Sequence, residues 1–421
     1  MTTADAPQRI AYLTSRFPAV SHTFILREVE ALRDMGFEIC TCSIRRPGPE
    51  ELQGAAEQAA AGCTFYVLSA ARNPWTLLAA QAQLLTRPKR YFSALWLALK
   101  TGSPGLRALV YQLFYFAEAT ILARHLQQQN VRHLHNHFAD VSANVAMLTA
   151  ELADIPFSYT LHGPIVLYEP KRWRLDAKTA RARFVACISH FARSQAMYFS
   201  DPEHWPKLRI VHCGVTPELY DRPATSKEAG THMVFVGRLA PIKGVRVLLE
   251  AFETARQTRP DLTLSLVGDG DDRAHLEKVA APLGSSVRFL GYRSQDEVAD
   301  ILANADALVL PSFAEGLPVV LMEALAAGKP VVCTQVAGVS ELVEDGVNGY
   351  LVPAGDAESL ADRIGRISDD PGRSRRMGEA GRTKVKEEFN VRKEAARIAA
   401  LFQGTGGTRP RPDPIYHENR D

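Results

Sequence analysis

Two glutamates, Glu315 and Glu323, are the residues whose type and spacing best suit chemistry. A short branched apolar run at residues 307–310 precedes them and predicts a buried parallel strand. The segment from Leu317 to Ala327 predicts a helix that Gly328 closes. Along such a helix the two carboxylates would stand on the order of 12 Å apart, whereas a pair acting on one bond stands about 5 Å apart. The spacing suits the two ends of an extended ligand.

The turn that carries Glu315 is expected at the carboxyl edge of a parallel sheet, where open α/β folds bind ligands. From Gly316 onward, backbone N–H groups at the helix N-terminus would favour an anion, although Pro318 has none. The alternative is an acid in a surface loop and a second acid on a solvated helix face. Spacing alone leaves both interpretations open.

The two glutamates lie among further short motifs whose order along the chain resembles that of a known protein family. Glu315 and Glu323 match the E-x7-E motif of retaining GT-B glycosyltransferases, and the neighbouring motifs occur in that family's order across residues 233–353. The N-terminal half resembles the exopolysaccharide, colanic-acid-like branch. The matching segments are Phe17-Pro18, Ser21-His22-Thr23-Phe24, His135-Asn136-His137-Phe138, Val236-Gly237-Arg238-Leu239, Lys243-Gly244, Val267-Gly268-Asp269-Gly270, Phe289-Leu290-Gly291-Tyr292 and Asp345-Gly346-Val347-Asn348-Gly349.

The resemblance implies an α/β fold of the GT-B type, with two Rossmann-like domains and a C-terminal helix that crosses back to the first. Strands that alternate with helices of ten or more residues agree with parallel sheets. The expected divisions are an acceptor-side domain at 1–220, a linker at 221–230, a nucleotide-sugar domain at 231–389, the crossover helix at 390–403 and a disordered tail at 404–421.

On the donor side, the resemblance implies a strand-end histidine beside the donor sugar. His162 and Glu315 are therefore the expected catalytic residues. Cations in the loop after the first strand of domain two would stabilise the charge that grows on a departing nucleoside diphosphate. The alternative is that Arg238 and Lys243 are solvated loop residues with no ligand. The donor-binding set is Arg238, Lys243, Tyr292, Gly316, Leu317, Pro318, Val319 and Glu323.

No paired-aspartate metal motif occurs in a compatible place, so we expect these cations to replace a metal. The nucleotide sugar is a co-substrate, and no cofactor is expected. His135 and His137 have the i, i+2 spacing that could ligate a metal, but the sequence shows no third ligand. They are expected to line the cleft or to pack. With Ser21 and His22 they form the predicted acceptor side, where His22 stands in place of the glutamate common in the similar branch.

Bulk composition sets wider limits. A chain of 421 residues predicts two domains, and the net charge of +2 gives no overall electrostatic preference. Six cysteines in this length do not form a disulfide scaffold, so a reduced cytoplasm is expected. The N-terminus lacks the features of a signal peptide, and no run of about 20 uninterrupted apolar residues predicts a transmembrane helix.

A basic, aromatic helical region extends from Arg72 to Arg124 and contains a single acid, Glu118. Such a surface can lie on an anionic membrane at the inner face of the cell. The alternative is that its aromatic residues face the core and its cations face water. Nucleic acid is a weaker candidate, since no recognised binding motif accompanies the charge.

These observations predict a hexosyltransferase-type enzyme that moves a sugar, with retention, from a UDP- or GDP-sugar to a glycan or lipid-linked acceptor. One alternative is a sugar-nucleotide epimerase on the same fold. Another is a catalytically silent sugar-nucleotide-binding subunit, against which the presence of Arg238, Lys243, Glu315 and Glu323 argues.

Overall fold

The computed structural model describes residues 9–19, 22–52, 54–163, 165–224 and 231–405. Ser21, from the predicted acceptor side, lies outside the described residues. So do residues 225–230 of the predicted linker and residues 406–421 of the predicted tail.

Seven parallel strands form the first sheet, in the order β3-β2-β1-β4-β5-β6-β7. β4 and β5 are buried at every position, because helices cover both faces of a parallel sheet. The strands are β1 (Arg9–Arg16), β2 (Glu38–Arg45), β3 (Phe65–Tyr66), β4 (His133–His137), β5 (Phe157–Leu161), β6 (Val185–Cys187) and β7 (Leu208–Ile210).

Six parallel strands form the second sheet, in the order β10-β9-β8-β11-β12-β13. In each sheet the strand order reverses beside a central strand, which opens a crevice at the carboxyl ends. The strands are β8 (His232–Val236), β9 (Thr263–Val267), β10 (Val287–Gly291), β11 (Ala307–Leu310), β12 (Val331–Thr334) and β13 (Gly349–Val352).

Helices connect the strands and cover both sheets. In the first domain they are α1 (Thr23–Asp34), α2 (Ala55–Gly62), α3 (Val67–Ala71), α4 (Pro74–Leu85), α5 (Pro88–Thr101), α6 (Leu106–Gln128), α7 (Val141–Ala153), α8 (Ile165–Tyr168), α9 (Leu175–Arg181) and α10 (His190–Tyr198). In the remainder they are α11 (Val245–Arg256), α12 (Arg273–Ala280), α13 (Gln295–Asn304), α14 (Val319–Ala326), α15 (Val339–Leu342), α16 (Ala357–Asp369), α17 (Pro371–Glu388) and α18 (Val391–Gln403).

The last helix, α18, returns to the first domain, as predicted. Backbone bonds join the two segments where it begins: Val215 N donates to Phe389 O, and Val391 N donates to Val215 O, both at 2.9 Å. Phe402 then packs in one buried cluster with side chains of β1 and α1. The predicted GT-B-type fold, two Rossmann-like sheets with a helix crossing back, is confirmed.

The helix that carries Glu323 starts later than predicted. Pro318 is extended, with φ −68° and ψ 118°, and α14 begins only at Val319. The expected start at Leu317 was therefore wrong, because the chain stays extended through the proline. Gly328, with φ 72°, follows the helix as predicted. Half of the interval between the two glutamates is turn, and the 12 Å helical spacing does not apply to it.

By length and composition, α6 is the one described helix that could cross a membrane. Its C-terminal half is buried, however, including Phe116, Leu122 and Leu126, and it joins the core of the first domain. A core helix of a globular domain can meet the same criteria of length and composition. Its N-terminal half is exposed, with Leu106 at 78% and Phe114 at 60%.

Candidate donor-site cleft

Glu315 lies in the turn after β11, and its side chain is nearly buried. One carboxylate oxygen, Oε1, accepts hydrogen bonds from Lys243 Nζ and Ser312 Oγ, both at 2.6 Å. Gly244 makes this approach possible. A Cβ on that residue would stand 2.2 Å from the carbonyl oxygen of Pro311. The loop after β8 therefore lies directly on the end of the neighbouring strand β11.

This pairing changes the expected role of Lys243. The sequence assigned its ammonium to the donor diphosphate, but the structure joins it to Glu315 in a partly buried ion pair. Arg238, in the same loop, is exposed and forms no ion pair with any described residue. Its guanidinium is thus free for an anionic ligand, whereas Lys243 would have to share its ammonium with the carboxylate.

Glu323, on α14, is held by two residues that the sequence analysis missed. Its Oε1 accepts hydrogen bonds from Tyr220 Oη at 2.7 Å and from Arg27 Nη2 at 3.0 Å. Arg27 comes from α1 in the first domain, and its side chain is only 6% exposed. The guanidinium also donates to Gln295 Oε1, at 3.0 Å. An ion pair therefore crosses between the domains at the second glutamate.

The backbone between the glutamates touches the first domain. A Cβ on Gly316 would stand 3.1 Å from Gly163 N, so the turn after Glu315 meets the residue that follows His162. Gly316 O accepts from Gly338 N at 3.2 Å. Leu317 is buried, and Pro318 and Val319 lead into α14. The predicted strand-end histidine and glutamate turn come together through these glycines.

Another contact across the domains uses Glu341, which sequence reasoning also missed. Its carboxylate accepts hydrogen bonds from the backbone N–H groups of His190, at 2.7 Å, and Phe191, at 2.9 Å. These groups open α10, so an acid of the second domain caps a helix of the first. The two domains therefore contact each other at Glu341 as well as at Glu323.

His162 follows β5 and is 7% exposed. Both of its ring nitrogens contact protein: Nε2 lies 3.0 Å from His137 Nδ1, and Nδ1 lies 3.7 Å from Cys213 Sγ. Burial, followed by the neighbouring His137 and His22, holds the pKa of His162 well below its usual value. The imidazole is therefore neutral, and neither nitrogen is free to take a proton from an acceptor.

The predicted acceptor-side histidines lie in different places: His22 lies against Phe138, near the catalytic candidate His162, whereas His135 and His137 are fully buried in β4. His22 and His162 both lie against the ring of Phe138, with centroid distances of 4.8 and 4.6 Å, and burial lowers the pKa of His22 to about 4. His135 lies within the sheet, where its nitrogens contact Ser158 Oγ at 2.8 Å and Thr160 Oγ1 at 2.9 Å. Of the two expectations for His135, packing is the correct one.

Contrary to the sequence-based expectation, a third potential metal ligand, Glu28 of α1, lies beside His135 and His137. One ligand atom from each of these three buried residues lies within 4.8 Å of the others. Sequence spacing could not show this, because Glu28 arrives from a helix on the sheet face. Since both nitrogens of His135 already bond to hydroxyls of β5, a metal would have to break one of those bonds.

Tyr292, from the predicted donor set, directly follows β10 and is 36% exposed. Burial is the main cause that raises its pKa, and Glu57 of α2 adds to it. Its hydroxyl is therefore protonated at neutral pH. The residue stands at the carboxyl edge of the second sheet, and its contact with the donor stays a prediction.

The sequence of this chain is similar to those of known glycosyltransferases. Residues 218–384 match the family model described as "Glycosyl transferases group 1". The second domain is a glycosyltransferase group 1 domain. The chain is 26% identical over 412 residues to the amylovoran biosynthesis glycosyltransferase AmsK of Erwinia amylovora, covering 94% of this chain and 99% of that protein. It is likewise 26% identical over 422 residues to WcaL of Escherichia coli K12, a putative colanic acid biosynthesis glycosyltransferase, with the same coverage.

Solved structures share the fold of this glycosyltransferase. HepE of Anabaena, in complex with UDP and glucose, superposes with a TM-score of 0.70 at 19% identity, covering 94% of this chain and 100% of that one. Sucrose-phosphate synthase from Thermosynechococcus elongatus gives 0.73 at 20% identity, covering 94% and 98%. The resemblance read from the sequence is confirmed at the level of fold, glycosyltransferase group and exopolysaccharide-type relatives.

Proposed function

We propose that this glycosyltransferase transfers a sugar, with retention, from a nucleoside-diphosphate sugar to a glycan or lipid-linked acceptor in cell-surface polysaccharide or glycolipid synthesis. The close approach of Gly163 and Gly316 carries the proposal, because it brings the segments of His162 and Glu315 together between the domains. The similarity to AmsK and WcaL supports the polysaccharide class. The UDP and glucose bound to HepE support the donor class.

In this reaction the bond from the sugar C1 to the phosphate oxygen breaks, and a bond from C1 to the acceptor oxygen forms on the same face. The acceptor proton passes to the leaving phosphate oxygen, because both nitrogens of His162 are occupied. Arg238 and the helix N-terminus at Val319 receive the negative charge of the departing diphosphate. Lys243 pairs with Glu315, so its ammonium would have to be shared between that carboxylate and the diphosphate.

The donor test is a thermal-shift screen against UDP, GDP and their sugar conjugates, followed by assays of nucleotide release. Release of nucleoside diphosphate only when acceptor is present supports transfer. Release without acceptor favours an epimerase on this fold, and binding without any turnover favours a silent subunit. The anomeric configuration of the product, read by NMR coupling constants, tests retention.

Activity is expected to survive chelation. Arg238 and Lys243 supply positive charge at the diphosphate, and the Glu28 group can bind a metal only by breaking a hydrogen bond of His135. Turnover should be unchanged after dialysis against excess EDTA. Loss of turnover that Mg²⁺ or Mn²⁺ restores would show that a metal, not these side chains, neutralises the leaving group.

The first domain also presents a surface suited to an anionic membrane. Trp75 is 75% exposed, Phe92 is 58% exposed and Trp96 is 67% exposed, so these aromatic residues do not face the core. Exposed Arg72, Arg87, Lys89, Lys100 and Arg107 lie on or beside the same three helices, α4 to α6. We call this set the aromatic-basic surface, and we propose that it holds the enzyme peripherally on the cytoplasmic face of the membrane.

The aromatic-basic surface should bind anionic vesicles weakly, with salt reversing the binding. Each cation near an anionic surface contributes about 1 kcal/mol, so Arg87→Gln, Lys89→Gln and Arg107→Gln together should weaken binding by about a hundredfold. Tyr198→Ser, at a residue 79% exposed elsewhere in the first domain, is the matched control. Co-sedimentation no better with phosphatidylglycerol than with phosphatidylcholine vesicles would contradict the proposal.

A further inference from the structure

A cavity of about 560 Å³ opens at the surface of the first domain, and none of its lining residues belongs to the donor-site cleft. It is enclosed by α6, α7 and the segment between α8 and α9, and we call it the α6–α7 cavity. Its volume lies in the range of small-ligand sites in proteins. The residues that give it its chemistry are Arg107, Tyr111, Tyr115, Asn144, Arg172 and Trp173.

The α6–α7 cavity lies at the carboxyl edge of the first sheet, the edge at which His162 is found. Val141, in its lining, begins α7 just after β4 ends, and Trp173 lies in the connection that follows β5. β4 and β5 are neighbours in the sheet. The two connections are joined where Lys178 Nζ donates to Ala139 O at 2.6 Å. The cavity is therefore on the acceptor side of the proposed enzyme.

Two arginines make the lining of this cavity positive. Arg107 and Arg172 are exposed, and no acidic residue is among the lining residues. Arg172 Nη1 donates to Glu169 Oε2 at 2.8 Å, which leaves its other N–H groups for a ligand, and Arg107 forms no ion pair with any described residue. Guanidinium groups bind carboxylates and phosphates through two parallel hydrogen bonds. The lining therefore favours an anion.

Aromatic rings lie beside both arginines. The Cζ of Arg107 lies 5.8 Å from the ring centroid of Tyr111, and that of Arg172 lies 5.0 Å from the ring of Trp173. Tyr111 and Tyr115 stack, with centroids 6.3 Å apart and ring planes at 22°. The negative face of an aromatic ring attracts a cation, and it packs against the C–H face of a sugar ring for the same electrostatic reason. Such a lining can contact a sugar and its charged substituent together.

The neutral polar groups of the lining also suit a ligand that is rich in oxygen atoms. The indole Nε1 of Trp173 is buried and has no hydrogen-bond partner among the described residues, whereas buried donors in proteins are normally paired. Burial is the main cause that raises the pKa of Tyr115, so its hydroxyl keeps its proton and can donate. Asn144 adds an amide. Sugar hydroxyls can bond to each of these groups.

We propose that the α6–α7 cavity binds an anionic sugar of the acceptor, meaning a sugar ring that carries a carboxylate or a phosphate. Arg107 and Arg172 bind the anion, and the aromatic rings contact the sugar ring. Two sources share this chemistry: a uronic acid residue within a glycan, and the sugar phosphate of a lipid-linked acceptor. The inference deepens the proposed function, and rests on it, only in assigning this sugar to the acceptor. The binding itself can be measured without transfer.

The test observes the tryptophan side chains directly. Full-length protein labelled with ¹⁵N-tryptophan has four indole N–H groups, and Trp173→Phe identifies the one at the cavity. Glucose 1-phosphate or glucuronate should shift the Trp173 signal in ¹H–¹⁵N spectra, because the ligand meets the indole. Glucose and inorganic phosphate, at the same concentration, should shift it at least about fivefold less. Trp75 and Trp96 lie on α4 and α5, and Trp205 Nε1 donates to Met197 O at 3.1 Å, so these three signals should not move.

Variants separate the cavity from the general positive charge of this surface. Arg107→Gln and Arg172→Gln should each raise the Kd of the sugar anion at least about fivefold, because a hydrogen bond from a charged group is lost. Arg87→Gln is the matched control, since Arg87 is an exposed cation of the aromatic-basic surface that does not line the cavity. Its Kd should stay within about twofold of the wild type. If Trp173→Phe fails to fold, Arg172→Gln identifies the indole signal, because its guanidinium lies over that ring.

A larger response to glucose 1-phosphate supports the lipid-linked sugar phosphate as the source, and a larger response to glucuronate supports the uronic acid. No shift of Trp173 with either compound would overturn the proposal, as would an equal shift with phosphate alone or an equal loss of affinity in Arg87→Gln. An equal shift with UDP would overturn it too, because the cavity would then be a nucleotide site. If Trp173 responds as expected but no nucleotide sugar supports transfer, the proposed function fails and the sugar site stands.

Discussion

Replacing Glu315 with glutamine is expected to lower kcat by about a hundredfold or more, the loss seen when one preorganised transition-state interaction is removed. The carboxylate is nearly buried in the turn after β11 and is fixed by Lys243 and Ser312 at 2.6 Å. In the proposed reaction this carboxylate lies beside the sugar, where its negative charge stabilises the positive charge that develops at C1 as the nucleotide leaves. Glutamine keeps the shape but removes the charge.

Steady-state kinetics with a nucleotide sugar and its acceptor measure this effect. The KM for the donor should change little, because the interaction strengthens only in the transition state. Glu344→Gln is the matched control, since that acid pairs with Lys384 away from the turn. A large rise in KM at unchanged kcat would instead place Glu315 in ground-state binding.

A double-mutant cycle tests the role of Lys243, the ion-pair partner of Glu315. If Lys243 acts only by holding Glu315, then Lys243→Met should add little loss in a Glu315→Gln background. If its ammonium also meets the diphosphate, as the sequence predicted, the two losses should approach additivity. The ion pair between Lys243 and Glu315 supports the first role, and the measured coupling decides between the two.

Local sequence signals predicted much of the fold. The apolar runs that become β8 to β12 are short, branched and bounded by glycine or proline, so their length and their helix partners indicated a parallel sheet. The presence of Pro318 did not reveal the late start of α14, because proline is well tolerated in the first turn of a helix. Only the extended ψ of 118° shows that Pro318 precedes the helix.

The partners of the site residues could not be predicted in the same way. Arg27 and Glu323 are separated by 296 positions, and they meet only because the two domains close on each other. Glu28 reaches His137 from a helix on the sheet face. No periodicity encodes either contact, because both depend on how separately folded elements pack.

The aromatic-basic surface shows a different limit. The sequence of α4 to α6 was compatible with helices whose aromatic residues face the core and with helices whose aromatic residues face solvent. Aromatic residues and cations are interleaved along these helices, so the pattern did not distinguish the two. Phe116 is buried, whereas Phe114, two residues earlier, is 60% exposed. Only the packing of these helices on the first domain decides which ring faces water.

The second large effect is expected at Glu323. We expect Glu323 to bind the ribose hydroxyls of the donor. Glu323→Gln should then raise the KM for the nucleotide sugar by about tenfold or more and weaken inhibition by free nucleoside diphosphate, because a charge-assisted hydrogen bond is worth about 1.5–3 kcal/mol. The ribose does not change during transfer, so kcat should hold. Isothermal titration with the diphosphate gives the affinity directly.

The ion pair with Arg27 must be separated from this binding role. Removing one partner of a buried pair destabilises a protein by about 3–5 kcal/mol, and the Arg27 side chain is 6% exposed. Arg27→Met combined with Glu323→Gln should therefore recover thermal stability relative to Glu323→Gln alone, yet leave KM high. Tyr220→Phe removes only the 2.7 Å hydrogen bond to the same oxygen and is the milder control. If Glu323→Gln abolished kcat while nucleotide affinity held, α14 would be presenting this second glutamate, and not Glu315, to the reacting bond.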